Sequence, residues 1–171
     1  MNTTSAQAPA PAQRAATDRV SGAVPLARLL AMSYQLLIDE LHERLAARGW
    51  SDVRPAFGFA LLALRDGPAS MREVIVTLGT TKQAVSKLID GLVAAGYADR
   101  VVDPHDARAK QVQLTAHGHD LLVAVEQIYA ELEAGWAGTL GPAHVDALRR
   151  DLETVVRAAH GGRLPVIRPV G

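Results

Sequence analysis

The sequence predicts a mainly α-helical fold that carries one small β-hairpin. Along most of the 171 residues, apolar side chains recur at steps of three and four, which is typical of amphipathic helices. Gly, Pro and Ser or Thr stand between these segments, where helices end and begin. One stretch instead alternates apolar and polar residues beside a polar tip that contains Pro, which is typical of a hairpin.

The two ends of the chain differ in composition from the rest. Residues 1–23 are rich in Ala, Pro, Thr and Ser and have no apolar period, so we expect a disordered N-terminal arm. Arg14 and Arg19 in this arm could contact DNA or a partner subunit, although a solvated arm is the simpler interpretation. Residues 161–171 begin with two glycines and are expected to form a flexible tail.

Long helices are predicted on both sides of the middle of the chain. A first helix is expected over residues 24–48, and two more follow Thr115, the second of them opened by Pro142. Their apolar stripes exceed what one small lobe could cover, and stripes left exposed would cause association. Residues 24–50 and 116–160 are therefore interpreted as a helical dimerisation frame, with a homodimer expected.

Residues 51–115 predict a compact lobe of three short helices and the hairpin. A helix is expected over residues 53–66. The next begins at Ser70–Glu73, which has the spacing of a capping box, and Gly79 is expected to end it in the left-handed conformation. Another helix follows at once, with the capping-box spacing repeated at Thr80–Gln83.

Two short helices joined by a Gly-containing turn form a helix-turn-helix, whose second helix can enter the major groove of DNA. The hairpin, with strands Ala98–Val102 and Lys110–Leu114, then forms a wing. Gln can pair with adenine, Lys can reach guanine or phosphate, and Ser and Thr can serve either. The candidate DNA contacts are Thr80, Thr81, Lys82, Gln83, Ser86, Lys87, Arg108 and Lys110. The alternative is an ordinary solvated helix face, since such residues are common on surfaces.

The wing tip contains Asp106 and Arg108, two residues apart. A carboxylate there can orient the guanidinium outward, and minor grooves attract arginine. The alternative is a surface ion pair of little energetic value. Asp106 is thus a candidate supporting residue for Arg108.

Four segments together resemble the MarR family of bacterial winged helix-turn-helix regulators: Gln83–Leu92, Gly96–Arg100, Asp106–Arg108 and Val112–Gly118. The likeness is specific between residues 80 and 118 and only architectural elsewhere. It implies six helices plus a wing, a dimer joined by the first and last two helices, and a near-palindromic DNA site. It also implies that Arg108 is the wing arginine and Asp106 its support, and that a small ligand often controls binding.

Charge leaves one alternative class of function open. The formal net charge is zero, whereas DNA-binding domains are usually basic. Residues 65–115 carry seven Lys or Arg and six Asp or Glu, and residues 120–153 carry two and seven. A winged-helix module that binds proteins and not DNA is therefore the alternative to a DNA-binding regulator.

Several other classes are not expected. No Gly-rich phosphate loop, nucleophile elbow or cluster of His with carboxylates suggests an enzyme. The absence of Cys removes thiol chemistry, and no two His residues have the four-residue spacing of helical metal ligands, so we expect neither metal nor cofactor. No apolar run reaches the roughly 18 residues of a membrane span, and a cytoplasmic protein is expected.

Three polar or aromatic residues on or near the first helix are candidates for binding a small aromatic or phenolic effector: Tyr34, His42 and Trp50. Each also has a plainer interpretation, as a core, interface or surface residue. The sequence therefore predicts a homodimeric, DNA-binding repressor whose binding such an effector relieves.

Overall fold

The computed structural model describes residues 23–104, 106 and 108–165. The predicted N-terminal arm, apart from its last residue, and the end of the predicted tail lie outside these residues. Contacts divide the chain into two units, with the boundary after Leu36. Within the described residues there are six helices and three strands.

In the first unit, the described part consists of the start of helix α1 (Leu26–Ala47) and the residues before it. The backbone amides of Arg28 and Leu29 donate to the carbonyl oxygen of Pro25 at 2.9 and 3.1 Å, so the chain turns into the helix there. The large apolar side chains of this described part are exposed: Val24, Leu26, Leu29, Leu30, Met32, Tyr34 and Leu36.

The second unit contains the remaining helices. They are α2 (Phe57–Ala63), α3 (Met71–Leu78), α4 (Lys82–Ala94), α5 (Ala116–Leu140) and α6 (Pro142–Ala159). Pro142 occupies the first turn of α6, as predicted. The helix predicted over residues 53–66 is much shorter than expected. Pro55 disfavours helical backbone in the residue before it, and Gly67 has a φ of 130°.

The hairpin has the predicted bounds, β2 (Ala98–Val102) and β3 (Lys110–Leu114). A third strand, β1 (Ala69–Ser70), pairs antiparallel with β3, which therefore lies in the centre of the sheet. This strand was not predicted, because two residues are too few to show an alternating pattern. It attaches the base of the wing to the start of α3.

The core is almost entirely aliphatic, as the small number of aromatic residues predicts. It combines one face of each of the helices α2 to α5 and the second half of α1 with the inward residues of the sheet, whereas α6 contributes no residue to it. No charged or polar side chain is buried among the described residues. The largest fully buried side chains are Leu45, Leu61, Leu64, Leu78, Ile89, Leu92, Leu121 and Ile128. None of the described helices is long and apolar enough to span a bilayer.

Candidate nucleic-acid interface

The turn between α3 and α4 is fixed at both ends. Ser70 and Glu73 form the predicted capping box at the start of α3, and their hydrogen bonds hold the pKa of Glu73 below its usual value. Gly79 ends α3 in the left-handed conformation, with φ 59° and ψ 30°. A side chain with a Cβ is strained there, which explains the glycine.

The cap of α4 differs from the prediction by one residue. Thr81, and not Thr80, is the N-cap, because its hydroxyl oxygen accepts the backbone amide of Ala84 at 3.2 Å. The helix therefore begins at Lys82. The capping box predicted for Thr80 and Gln83 is wrong, and the Gln83 side chain is not used by a cap.

Helix α4 has two distinct faces, and we call it the reading helix. Val85, Ile89 and Leu92 are fully buried and hold it against the core. The candidate contacts lie away from that face: Thr81, Lys82, Gln83 and Lys87 are exposed, and Thr80 and Ser86 are half-buried. The structure therefore brings the predicted helix residues onto the accessible surface at the start of one helix.

Two contacts hold the C-terminal half of the reading helix in place. Asp90 forms an ion pair with Arg100 of β2, which links the helix to the wing. On another side of the helix, a Cβ at Gly91 would lie 3.3 Å from the ring of Phe57 in α2. The sequence suggested neither contact, because each joins residues that are far apart in the chain.

The wing tip is a closed turn. The amide of Asp103 donates to the carbonyl of Ala109 at 3.0 Å, and that of Ala109 donates to the carbonyl of Asp106 at 2.9 Å. The side-chain amide of Gln111 donates to the Asp103 carboxylate at 2.9 Å. These bonds fix the described residues on both sides of the tip, among which Pro104, Asp106 and Arg108 are exposed.

Asp106 and Arg108 meet through the backbone of the wing. The Asp106 carboxylate accepts the backbone amide of Arg108 at 2.9 Å. No ion pair between their side chains occurs, and the guanidinium of Arg108 has no carboxylate partner in the described part of the chain. Asp106 thus shapes the turn from which Arg108 extends. The predicted orientation of the guanidinium by the carboxylate is not what the geometry shows.

A single threonine joins the wing to α5. The Thr115 hydroxyl accepts the amide of Gly118 at 3.0 Å and donates to the carbonyl of Gly96 at 2.7 Å, and the Thr115 amide donates to the carbonyl of Tyr97 at 3.1 Å. The end of the reading helix, the base of the wing and the start of α5 therefore share one hydrogen-bonded joint. This arrangement gives a physical reason for Thr115 and Gly118, three residues apart, within the segment Val112–Gly118.

Beside this joint lies a cluster of rings. The Trp50 and His117 rings are stacked, with centroids 4.8 Å apart, and Tyr97 stacks on His117 at 5.0 Å. Burial raises the pKa of the Tyr97 hydroxyl, and the Asp52 carboxylate adds to the increase. Trp50 is thus packed against the exit of the reading helix.

The other two effector candidates have different surroundings. Tyr34 belongs to the first unit and is 44% exposed. His42 lies on α1 in the second unit and is half-buried. The grouping of Tyr34, His42 and Trp50 as one effector site stays a prediction.

The zero net charge hides an uneven pattern of ion pairs. Lys82, Lys87, Arg108 and Lys110 have no carboxylate partner among the residues described, so their charges remain available. Five of the ten arginines elsewhere in the described residues are paired: Arg44 and Arg48 with Glu131 at 3.0 and 2.7 Å, Arg65 with Glu126 at 2.7 Å, Arg157 with Glu153 at 2.7 Å, and Arg149 with Glu133. The other five, Arg28, Arg54, Arg72, Arg150 and Arg163, have no carboxylate partner in the part of the chain that the structure describes.

The sequence signature of the MarR family matches residues 58–109, from α2 into the wing tip. A curated relative, the exopolysaccharide II synthesis transcriptional activator ExpG of Rhizobium meliloti (strain 1021), is 25% identical over 135 residues. The match covers 79% of this chain and 66% of that relative, which is just under two thirds of the relative's length.

Two solved structures share the fold. A mutant of MarR from E. coli complexed with operator DNA has a TM-score of 0.62 and 26% identity, with 78% of this chain and 94% of that chain covered. BpsR of Bordetella bronchiseptica, whose DNA binding is regulated by 6-hydroxynicotinic acid, has a TM-score of 0.59 and 25% identity, with 77% and 92% covered. All three relatives are named for regulating transcription or binding DNA.

Proposed function

We propose that this chain, a winged-helix protein of the MarR family, binds operator DNA as a homodimer and represses transcription in the cytoplasm. The observation that carries the proposal is the set of unpaired cations on the reading helix and wing. Gln83 and Lys87, four residues apart, lie on the face opposite the buried Val85, and Lys82 is exposed at the start of the same helix. Such a face can combine phosphate contacts with a base contact in the major groove.

The unpaired cations of the reading helix and wing support DNA binding despite the zero net charge. An arginine already paired with a carboxylate displaces few counterions from the DNA, whereas an unpaired lysine that neutralises a phosphate displaces about one. The charge that determines DNA binding is therefore the local charge of the reading helix and wing, and not the net charge of the chain. In the wing, Arg108 and Lys110 extend the same positive surface beyond the helix.

A second copy of the chain is part of the proposal. One reading helix contacts only one half-site, and a dimer spaces two of them about one helical turn apart on a near-palindromic site. The start of α1 exposes a run of large apolar side chains that a partner subunit would cover. Leu148 and Val155 of α6 are exposed as well.

A small aromatic effector is proposed to relieve binding. Support comes from BpsR, whose DNA binding is regulated by 6-hydroxynicotinic acid, an aromatic acid. In this chain, Trp50 stacks beside the exit of the reading helix, where an altered packing would tilt that helix. Tyr34 and His42 remain the other candidate contacts. A ligand of this kind typically couples to binding by roughly 1–3 kcal/mol.

The alternative function is a protein-interaction module that uses the same lobe. The zero net charge favours it, because nonspecific attraction to DNA is then weak. It differs from the main proposal in one measurable respect, since a protein-binding lobe has no preferred duplex.

Selection of bound sequences from random duplex DNA tests the proposal. We expect a near-palindromic sequence to be enriched by the wild-type chain and lost when Gln83→Ala and Lys87→Ala are combined. Arg150→Ala is the matched control, because it removes an unpaired cation of α6 outside the lobe. Failure to enrich any duplex, with a folded dimer in sedimentation, would leave the protein-interaction module as the better account.

A further inference from the structure

Arg54 lies in the loop before α2, where both its side chain and its backbone make contacts with Phe57. Its guanidinium lies over the ring of Phe57, 5.9 Å from the centroid, which is within the range of a cation–π contact. The backbone amide of Phe57 donates to the Arg54 carbonyl at 2.9 Å. Pro55 further restricts the backbone of Arg54. The cation is exposed, yet its position is defined.

The same ring connects Arg54 to the reading helix. Phe57 is buried, and its edge lies 3.3 Å from the place a Cβ of Gly91 would occupy. Gly91 is in the C-terminal half of the reading helix. One aromatic ring therefore has the helix on one side and the guanidinium of Arg54 over its face.

The position of Gly91 decides which flank of the reading helix Arg54 occupies. Consecutive helical residues differ by about 100° around the axis. Asp90 is joined to the wing through Arg100, and Gly91 is next to Phe57, so the wing and Phe57 lie on different flanks of the helix. The exposed face lies between these two flanks, opposite the buried Val85.

The charge of Arg54 is available. No carboxylate lies within ion-pair distance of it in the described residues, including Asp52, two residues earlier. The planar fork of a guanidinium matches the oxygens of a phosphate, and a cation–π contact leaves its donors free to bind one. Stacking also lowers the conformational entropy that the side chain loses when it binds.

We propose that Arg54 contacts a backbone phosphate of the bound duplex on the flank of the reading helix opposite the wing. The lobe then contacts the DNA on both sides of the groove that the reading helix enters, with Arg108 on one side and Arg54 on the other. This inference rests on the proposed function, since it names a further contact of the same DNA site. A phosphate contact carries no sequence information, so Arg54 acts on affinity and not on preference.

Salt titrations of duplex binding test this contact. We compare the wild-type chain with Arg54→Ala and Arg54→Lys on the selected operator and on a random duplex of equal length. Arg54→Ala should weaken binding to both duplexes by the same factor and lower the slope of log affinity against log salt by about one unit per protomer. Arg54→Lys should keep the slope, because it keeps the charge.

Two controls separate the possible failures. Arg150→Ala should leave affinity and slope unchanged, and a thermal melt should show that Arg54→Ala is folded. If the wild-type chain binds DNA but the slope of Arg54→Ala is unchanged, the Arg54 contact is wrong and the proposed function stands. If the wild-type chain binds no duplex, both are wrong.

Discussion

Gly118 in the first turn of α5 lies directly against the backbone of Tyr97. A Cβ at position 118 would lie 2.0 Å from the Tyr97 carbonyl oxygen, a distance that no side chain can occupy. That oxygen also accepts the amide of Thr115, so it cannot move away without breaking the joint. The close approach of α5 to the exit of the reading helix therefore requires glycine.

We expect Gly118→Ala to destabilise the fold by about 1–3 kcal/mol or more, the usual range for an overpacked site. Gly135 and Gly138 are matched controls in the same helix, because open space surrounds them. Alanine there should stabilise the helix by roughly 0.5–1 kcal/mol. Urea denaturation measures all three. Equal effects at positions 118 and 135 would show that the joint is looser than the structure has it.

Alanine substitutions in the reading helix and in the wing should have different effects on DNA binding. Gln83→Ala is expected to relax sequence preference, at about 1–3 kcal/mol for a lost base contact. Arg108→Ala should weaken binding to operator and random duplex alike and lower the salt slope by about one per protomer. Binding isotherms on both duplexes decide the matter. An Arg108→Ala chain with an unchanged slope would mean that the wing does not touch DNA.

Asp106 provides a sharper test of how the wing is built. Because its carboxylate accepts a backbone amide, Asp106→Asn should retain the hydrogen bond and bind DNA nearly as well as the wild type. Asp106→Ala loses that bond, and we expect affinity to fall, by less than for Arg108→Ala. The same salt titration serves here. If Asn behaves like Ala, then the negative charge matters and the backbone account fails.

We expect the free energy of unfolding to decrease in acid because Glu131 becomes protonated. Hydrogen bonds from Arg48, and then from Arg44, hold the pKa of Glu131 below its usual value. A carboxylate with a lowered pKa stabilises the fold above its unfolded pKa, and this contribution disappears as the pH falls through the folded pKa. Below about pH 4.3, the ordinary value for Glu, the loss should be progressive.

The measurement is the unfolding free energy of Glu131→Gln between neutral and acid pH. The variant should show a smaller decrease than the wild type over the acid range. Glu43→Gln is the matched control, because Glu43 is an exposed carboxylate of α1, next to Arg44 in the sequence, without an ion pair among the described residues. A pH profile of Glu131→Gln parallel to that of the wild type would contradict the prediction.

Local signals predicted much of the fold. The alternation around the wing set both strands correctly, and Ser70 and Gly79 were placed correctly because caps act over three or four residues. The error at Thr80 is of the same local kind. Either threonine could cap the helix, and only the path of the chain after Gly79 decides which hydroxyl reaches an amide.

The site was less predictable where it depends on contacts between distant residues. Nothing near Arg48 in the sequence shows that Glu131 neutralises it, so the sequence could not separate paired from unpaired cations. The Trp50 and His117 rings are likewise brought together only by the fold. Periodicity places each residue on a face, but it does not say which faces meet.

The joint at Thr115 has a consequence for engineering. It docks the lobe onto α5 mainly through backbone atoms of Gly96, Tyr97 and Gly118, with one hydroxyl between them. Its geometry is therefore indifferent to the side chains at the start of the reading helix. We expect that exchanging only the exposed Lys82, Gln83 and Lys87 for the residues of a relative, with the buried Val85 kept, changes the preferred duplex and leaves the docking unchanged.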